Sequence, residues 1–145
     1  MNFSDKEYIM SDWANDIYMM HNKFGVHKWF EENKHDKELM KKYLDFRIAM
    51  CQEELDETFI AAKEEDPEEI VDGLIDLCVF AIGTLDVLGV DANKAWDKVY
   101  EANMTKSPGI KEGRPNPFGL PDLLKPEGWK APTHEGNHGN IPNII

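Results

Sequence analysis

The most constraining feature of this chain is the stretch Ile70-Val71-Asp72-Gly73-Leu74-Ile75-Asp76-Leu77-Cys78-Val79-Phe80, apolar nearly all round yet carrying two aspartates. An apolar circumference of this kind predicts a helix buried on most sides. Its start is marked by Asp66-Pro67-Glu68-Glu69, an N-cap Asp with Pro at the first helical position and Glu at the third. Its end is set by Leu88-Gly89, with the glycine as C-terminal cap. Asp76 stands in the middle. Asp72 lies one turn earlier and about 40° away, and Glu69 falls in the same sector. A buried, unpaired carboxylate costs several kcal/mol, so Asp76 must be protonated, paired or bound to a metal.

The preceding helix carries a second acidic group. Asp36 predicts its N-cap and the pattern runs to about Glu65. Leu44, Ile48, Cys51, Leu55 and Phe59, spaced 4, 3, 4 and 4, predict a buried stripe. Glu53, Glu54 and Glu57 occupy a different sector, roughly 100° wide, which also holds Tyr43, Phe46 and Met50. A purely solvated face would not mix aromatics with carboxylates in this way. On consecutive antiparallel helices the two acidic groups face one another, with Arg47 the nearest basic residue. Clustered oxygens of that kind suit a hard divalent cation such as Mg²⁺. Two alternatives stand beside that reading. Glu53, Glu54, Asp56 and Glu57 can form an ordinary solvated face, and Asp76 can pair with a core Lys, Arg or Tyr.

A first helix is expected over about 5–23, with Trp13, Ile17 and Met20 along one side. A connector, Gly25 to Asn33, follows with an aromatic cluster of Phe24, Trp29 and Phe30. Asp91 caps a fourth helix, with Ala95, Val99 and Ala102 inward, ending near Asn103. No strand pattern is readable. The expected fold is all-α, an antiparallel four-helix bundle-like domain over residues 1–106. Beyond Lys106 lie seven of the eight prolines and six of the ten glycines, so 107–145 reads as an extended arm serving the substrate site or oligomer contacts.

Charge narrows the partners. A net charge of −12 argues against nucleic-acid polymers and anionic membranes, both of which need clustered Lys and Arg. A phosphorylated substrate remains compatible if divalent cations sit between it and the protein. The N-terminal residues are polar and acidic, no apolar run approaches the roughly 20 residues of a bilayer span, and Cys51 and Cys78 read as reduced core thiols. A cytoplasmic protein is expected.

Glu53-Glu54-Leu55-Asp56-Glu57 followed by Asp72-Gly73-Leu74-Ile75-Asp76 resembles the MazG-like all-α NTP pyrophosphohydrolases, whose pattern is E-E-x-x-E on one helix and E-x-x-D on the next. The superfamily also includes dimeric dUTPases and phosphoribosyl-ATP pyrophosphohydrolase. The chain departs from the pattern at Gly73, where the second motif's Glu belongs. Asp72 can fill that role, or the register can shift to Glu69-Ile70-Val71-Asp72, which leaves Asp76 unexplained. Phe46-Arg47, Gly83-Thr84 and Ala102-Asn103-Met104-Thr105-Lys106 are similar to compact single-domain forms from phages and mobile elements, whose site would be the host cytoplasm.

The resemblance implies hydrolysis of (deoxy)nucleoside triphosphates to the monophosphate and pyrophosphate, with Mg²⁺ as cofactor and Mn²⁺ able to substitute. It implies Glu54, Glu57, Asp72 and Asp76 as metal ligands, and Glu53, Glu54 and Glu57 as the catalytic acids, Glu53 holding or deprotonating the water. Asn103, Lys106 and Lys125 would approach the phosphates, with Arg47 also on the substrate side. Trp13, Trp29 and Phe46 are candidates to stack on the base, ordinary core packing being the alternative for each. A homodimer or homotetramer is expected, and dGTP or dCTP are the first substrates to try.

Other classes fit less well. A ferritin-like di-iron site needs two Glu-x-x-His motifs, and Glu32-Asn33-Lys34-His35 supplies one, in the expected connector. His134 and His138 read as part of a flexible tail rather than a chelate. No P-loop, Ser-His-Asp set or zinc cysteine cluster is readable. The remaining alternative is a non-catalytic helical regulatory or adaptor protein with an acidic interaction surface.

Overall fold

The structure, a computed structural model, describes residues 11–114, 118–119 and 122–145. Five α-helices account for most of them: α1 (Trp13–Lys23), α2 (Val26–Asn33), α3 (Lys37–Lys63), α4 (Pro67–Val87) and α5 (Ala92–Met104). Four of the five begin in the same way. Asp12, Asp36, Asp66 and Asp91 each sit in extended backbone and accept a hydrogen bond from the amide three residues on, at Asn15, Leu39, Glu69 and Lys94. Each such cap is worth about 1 kcal/mol.

The expected all-α class holds, with two differences in detail. The expected connector from Gly25 to Asn33 is itself helical. Gly25 takes a left-handed φ of 77°, which turns the chain sharply out of α1. Val26, Trp29 and Phe30 then fall on one side of a two-turn helix and pack inward. The described residues thus hold five helices rather than four. The second difference lies beyond Lys106. A short antiparallel ladder pairs β1 (Ser107–Gly109) with β2 (Asp122–Leu124), and a 3₁₀ turn covers Ile141–Asn143. Pro108 stands on an edge of that ladder, where a missing N–H is tolerated. The start expected for the first helix near residue 5 lies outside the described residues. Trp13 is the first helical residue after the Asp12 cap.

The dominant packing is α3 against α4, joined by a three-residue turn and therefore antiparallel. Its register can be read from two contacts. The Arg47 guanidinium donates to the Phe80 carbonyl at 3.2 Å and to the Thr84 hydroxyl at 3.1 Å. About three turns further along α3, Thr58 lies so close to Gly73 that a Cβ there would collide with its hydroxyl. Glu54 consequently comes opposite Asp76.

The core is gathered at one end of this hairpin. Phe30, Met40, Val87, Leu88 and Ile144 are buried together, flanked by Trp29, Leu39, Tyr43 and Leu44. Ile144 reaches it because the tail is clasped to the end of α4. Asn140 donates to the Leu88 carbonyl at 2.7 Å, and Asn137 exchanges two 2.8 Å hydrogen bonds with the backbone of Asp91.

The stripe predicted as buried on α3 is largely uncovered in the single chain. Ile48 is 59% exposed and Phe59 67%, with Leu55 also exposed, and Val71, Leu74 and Ile75 of α4 are exposed too. Asp76 itself is half-buried. Geometry supplies the reason: α3 is about 40 Å long, and the shorter α1, α2 and α5 cannot cover it. Cys51 and Cys78 are free thiols, half-buried rather than in the core. Among the described residues no single helix is long and apolar enough to cross a membrane.

Candidate functional site

The close approach of α3 and α4 at Gly73 builds the acidic face. With no side chain at Gly73 the helices approach closely, and Glu53, Glu54 and Glu57 come across from Asp72 and Asp76. The convergence registers on Glu54, whose carboxyl holds its proton above the ordinary value of 4.5. Desolvation is the first cause, followed by the negative charges of Asp76, Glu57, Glu53 and Asp72. Asp72 therefore acts on this face, while Glu69 is not among the charges that bear on Glu54.

The same geometry accounts for the departure from the family pattern. A Glu at 73 would run into Thr58, whose hydroxyl is tied to the Glu54 carbonyl at 2.7 Å.

Among the described residues none of these five carboxylates has a Lys, Arg or His partner within 4.0 Å. Their oxygens converge electrostatically but are not drawn into one tight set. Like charges without a counter-ion spread apart, and flexible Glu side chains let them do so. An all-oxygen, unneutralised donor set on two rigid helices fits a hard divalent cation, and fits a thiophilic or nitrogen-seeking one poorly.

The other expected site residues divide into three groups. Arg47 is turned into the α3–α4 packing, bonded to Phe80 and Thr84 and lying 5.0 Å from the Phe80 ring centroid. Trp29 packs against Tyr43 at 5.0 Å on the margin of the core, whereas Trp13 and Phe46 are half or more exposed.

Lys106 and Lys125 do come together. Their ammonium groups lie 5.1 and 5.2 Å from the Trp129 ring centroid, one from the end of α5 and one just after β2. Trp129 is fixed by its indole N–H, which donates to the Ala102 carbonyl at 2.9 Å. Asn103, one residue on, is half-buried. Among the described residues no ion pair links this basic group to the acidic face.

One arrangement was not foreseen from the sequence. His21 near the end of α1, His27 at the start of α2 and Asp86 near the end of α4 meet in a partly buried cluster. Their partners lie 59 and 65 positions apart, so no local spacing could reveal it. The pair His21-x5-His27 was the available signal, and it becomes meaningful only once Gly25 is known to fold α2 back beside α1.

An all-α domain whose principal helical hairpin carries facing carboxylates has the build of the metal-dependent pyrophosphohydrolases. Residues 18–103, more than half of the chain, match the phosphoribosyl-ATP pyrophosphohydrolase family, and the chain belongs to that family within the MazG-like all-α superfamily. The match spans both acidic helices, and the domain is accordingly a hydrolase of the nucleotide pyrophosphohydrolase type, a class that is typically divalent-metal dependent. No curated protein matches the chain.

Proposed function

We propose that this chain hydrolyses the α–β phosphoanhydride of a nucleoside triphosphate, releasing the monophosphate and pyrophosphate, with Mg²⁺ as cofactor and Mn²⁺ able to replace it. One observation carries the reading. Four carboxylates on two helices press upon Glu54, with no basic partner within 4.0 Å among the described residues, in a domain of pyrophosphohydrolase ancestry.

Glu54, Glu57, Asp72 and Asp76 would hold the cation. When bound, it supplies charge neutralisation on the phosphate oxygens and a lowered pKa for water. Glu53, on the same face, holds the attacking water and accepts its proton. Lys106 and Lys125, with Asn103 near them, bind the phosphate charge that the cation leaves over. Trp13 and Phe46 offer exposed aromatic surface for the base; Trp29 is better employed in packing.

Two copies of the chain complete the enzyme in this reading. Ile48, Leu55, Phe59, Val71, Leu74 and Ile75 form an uncovered apolar face on α3 and α4. Covering each would contribute roughly 0.8–1.5 kcal/mol, about half the value of burying a fully exposed side chain. A dimer or a dimer of dimers would also bring one copy's basic group nearer to the other's acids. The charge and the absence of a spanning helix among the described residues fit a cytoplasmic enzyme acting on free nucleotides.

Deoxynucleotides, dGTP and dCTP first, are the proposed substrates. The family match favours a second candidate with the same scissile bond, phosphoribosyl-ATP itself. The test is a panel of NTPs, dNTPs and phosphoribosyl-ATP with Mg²⁺ or Mn²⁺, scored for pyrophosphate. Glu57→Gln and Asp76→Asn should lose more than the roughly 10–100-fold that an outer-shell change costs at a metal site, with circular dichroism unchanged. Full activity in both variants would refute the ligand assignment. An absence of turnover across the panel would leave the adaptor reading in possession.

A further inference from the structure

We infer that His21, His27 and Asp86 form a second metal site, separate from the acidic face and selective for a nitrogen-preferring transition ion such as Zn²⁺. His21 Nδ1 and His27 Nε2 each lie 2.7 Å from the same carboxylate oxygen, Asp86 Oδ2. The three ligand atoms lie within 4.8 Å of one another, the only such His, Cys, Asp or Glu group among the described residues. Two imidazoles and one carboxylate are the protein donors of many three-ligand zinc sites, in which water takes the fourth position.

Each ligand comes from a different helix, and each is held. The His27 ring packs on Tyr18 with centroids 4.6 Å apart. The two imidazoles meet edge-on at 88°, which keeps their rings from stacking and lets both nitrogens aim at one point. The His21 ring occupies space kept open by Gly83, where a Cβ would come within 3.2 Å of its Cε1. Asp86 also lines a cleft of about 380 Å³ with Tyr18, Asn15 and Asn93, so the fourth position has a route to solvent.

The charge balance favours a cation. Among the described residues Asp86 has no Lys or Arg ion pair within 4.0 Å, so with neutral imidazoles the three side chains together carry one negative charge; the Arg47 guanidinium reaches the same gap beside Gly83 but is bonded to Phe80 and Thr84. In the metal-free state each imidazole must donate its N–H to Asp86. On binding, each shifts that proton to its other ring nitrogen, and the lone pairs released become ligands. Metal–ligand bonds of about 2.0–2.1 Å in tetrahedral geometry separate donor atoms by roughly 3.3 Å, so the contacts open by about half an ångström, a change within reach of side-chain torsions.

The acidic face offers oxygen alone, and Mg²⁺ prefers oxygen. Saturating Mg²⁺ therefore isolates the second site. The chelator-stripped full chain, with Mg²⁺ in millimolar excess, is titrated with Zn²⁺ by calorimetry and with Co²⁺ by visible absorption. One Zn²⁺ per chain is expected, with a rise in Tm and a Co²⁺ spectrum of a low-coordinate nitrogen-containing site. Glu57→Gln should retain that binding. His27→Ala, at a position only a quarter exposed and on the rim of the cluster, should weaken it about 100-fold or more, as should Asp86→Asn if it folds. Two results overturn the inference: Zn²⁺ uptake that Mg²⁺ suppresses or His27→Ala leaves intact, and uptake lost with His134→Ala or His138→Ala instead. A Tm that ignores Zn²⁺ in the unaltered chain also overturns it, leaving the trio as a hydrogen-bonded link between helices.

Discussion

The acidic face and the histidine cluster share helix α4, which gives Asp72 and Asp76 to the first and, 14 and 10 positions further on, Asp86 to the second, and they handle negative charge in opposite ways. At the acidic face Asp76, Glu57, Glu53 and Asp72 bear on Glu54, whose pKa is raised first by desolvation and then by their charges, and among the described residues none of the five has a basic partner within 4.0 Å. At the cluster a single carboxylate is satisfied by two imidazole N–H groups at 2.7 Å. The first arrangement is incomplete without something from outside. The second is complete as it stands, and under the inference above an ion would enter it with each imidazole proton moving to the other ring nitrogen. Glu53, Glu57 and Asp72 are exposed and Glu54 and Asp76 half-buried, so solvent screens the acidic face, whereas the cluster settles its carboxylate with internal donors.

The sharpest way to break this comparison is at Gly73. Replacing it with Glu restores the literal family motif while forcing a side chain into Thr58. We expect destabilisation at or above about 1–3 kcal/mol by chemical denaturation, together with lost activity, since overpacking separates the helices that create the acidic face. Adding Thr58→Ala should recover part of the loss. If Gly73→Glu alone is stable and more active, the close approach is not what sets the site.

A smaller effect tests the source of positive charge. Removing Lys106 or Lys125 by alanine should lower kcat/KM for a triphosphate about 10- to 100-fold each, the scale of one charged hydrogen bond of about 1.5–3 kcal/mol. Neither change should alter Zn²⁺ uptake at the cluster. A Lys variant that weakened Zn²⁺ binding would show the two regions to be coupled.

The smallest effect is electrostatic. Because the folded state raises the Glu54 pKa above 4.5, it binds that proton more tightly than the unfolded chain does. In chelator, stability should therefore be favoured at pH 4 and should decline as pH rises from about 4.5 through the folded-state pKa. Glu54→Gln should flatten that decline, and Mg²⁺ should reverse it in the unaltered chain. Exposure keeps the magnitude modest, so paired thermal melts at pH 4 and pH 7 are the suitable readout.

What the sequence disclosed follows from range. Asp36, Asp66 and Asp91 were readable as caps because a cap is a contact over three residues, and the acidic helices were readable because helical period fixes which carboxylates share a side. The pairing of Glu54 with Asp76 followed from the short turn between the helices. The histidine cluster, the β1–β2 ladder and the seating of Ile144 depend on partners tens of residues away and leave no periodic trace. The α3 stripe failed for another reason. Apolar spacing records which residues share a face, and Ile48 and Phe59 show that the other helices of the chain leave that face uncovered.

Trp129 has a last consequence. An indole with two ammonium groups against it and its N–H anchored to Ala102 is an optical gauge wired to the proposed polyphosphate contact. When an anion draws Lys106 and Lys125 away, the field across the ring changes, and its emission must move with occupancy. Under that proposed contact the protein would report its own loading without a label, and Trp129→Phe would silence the signal.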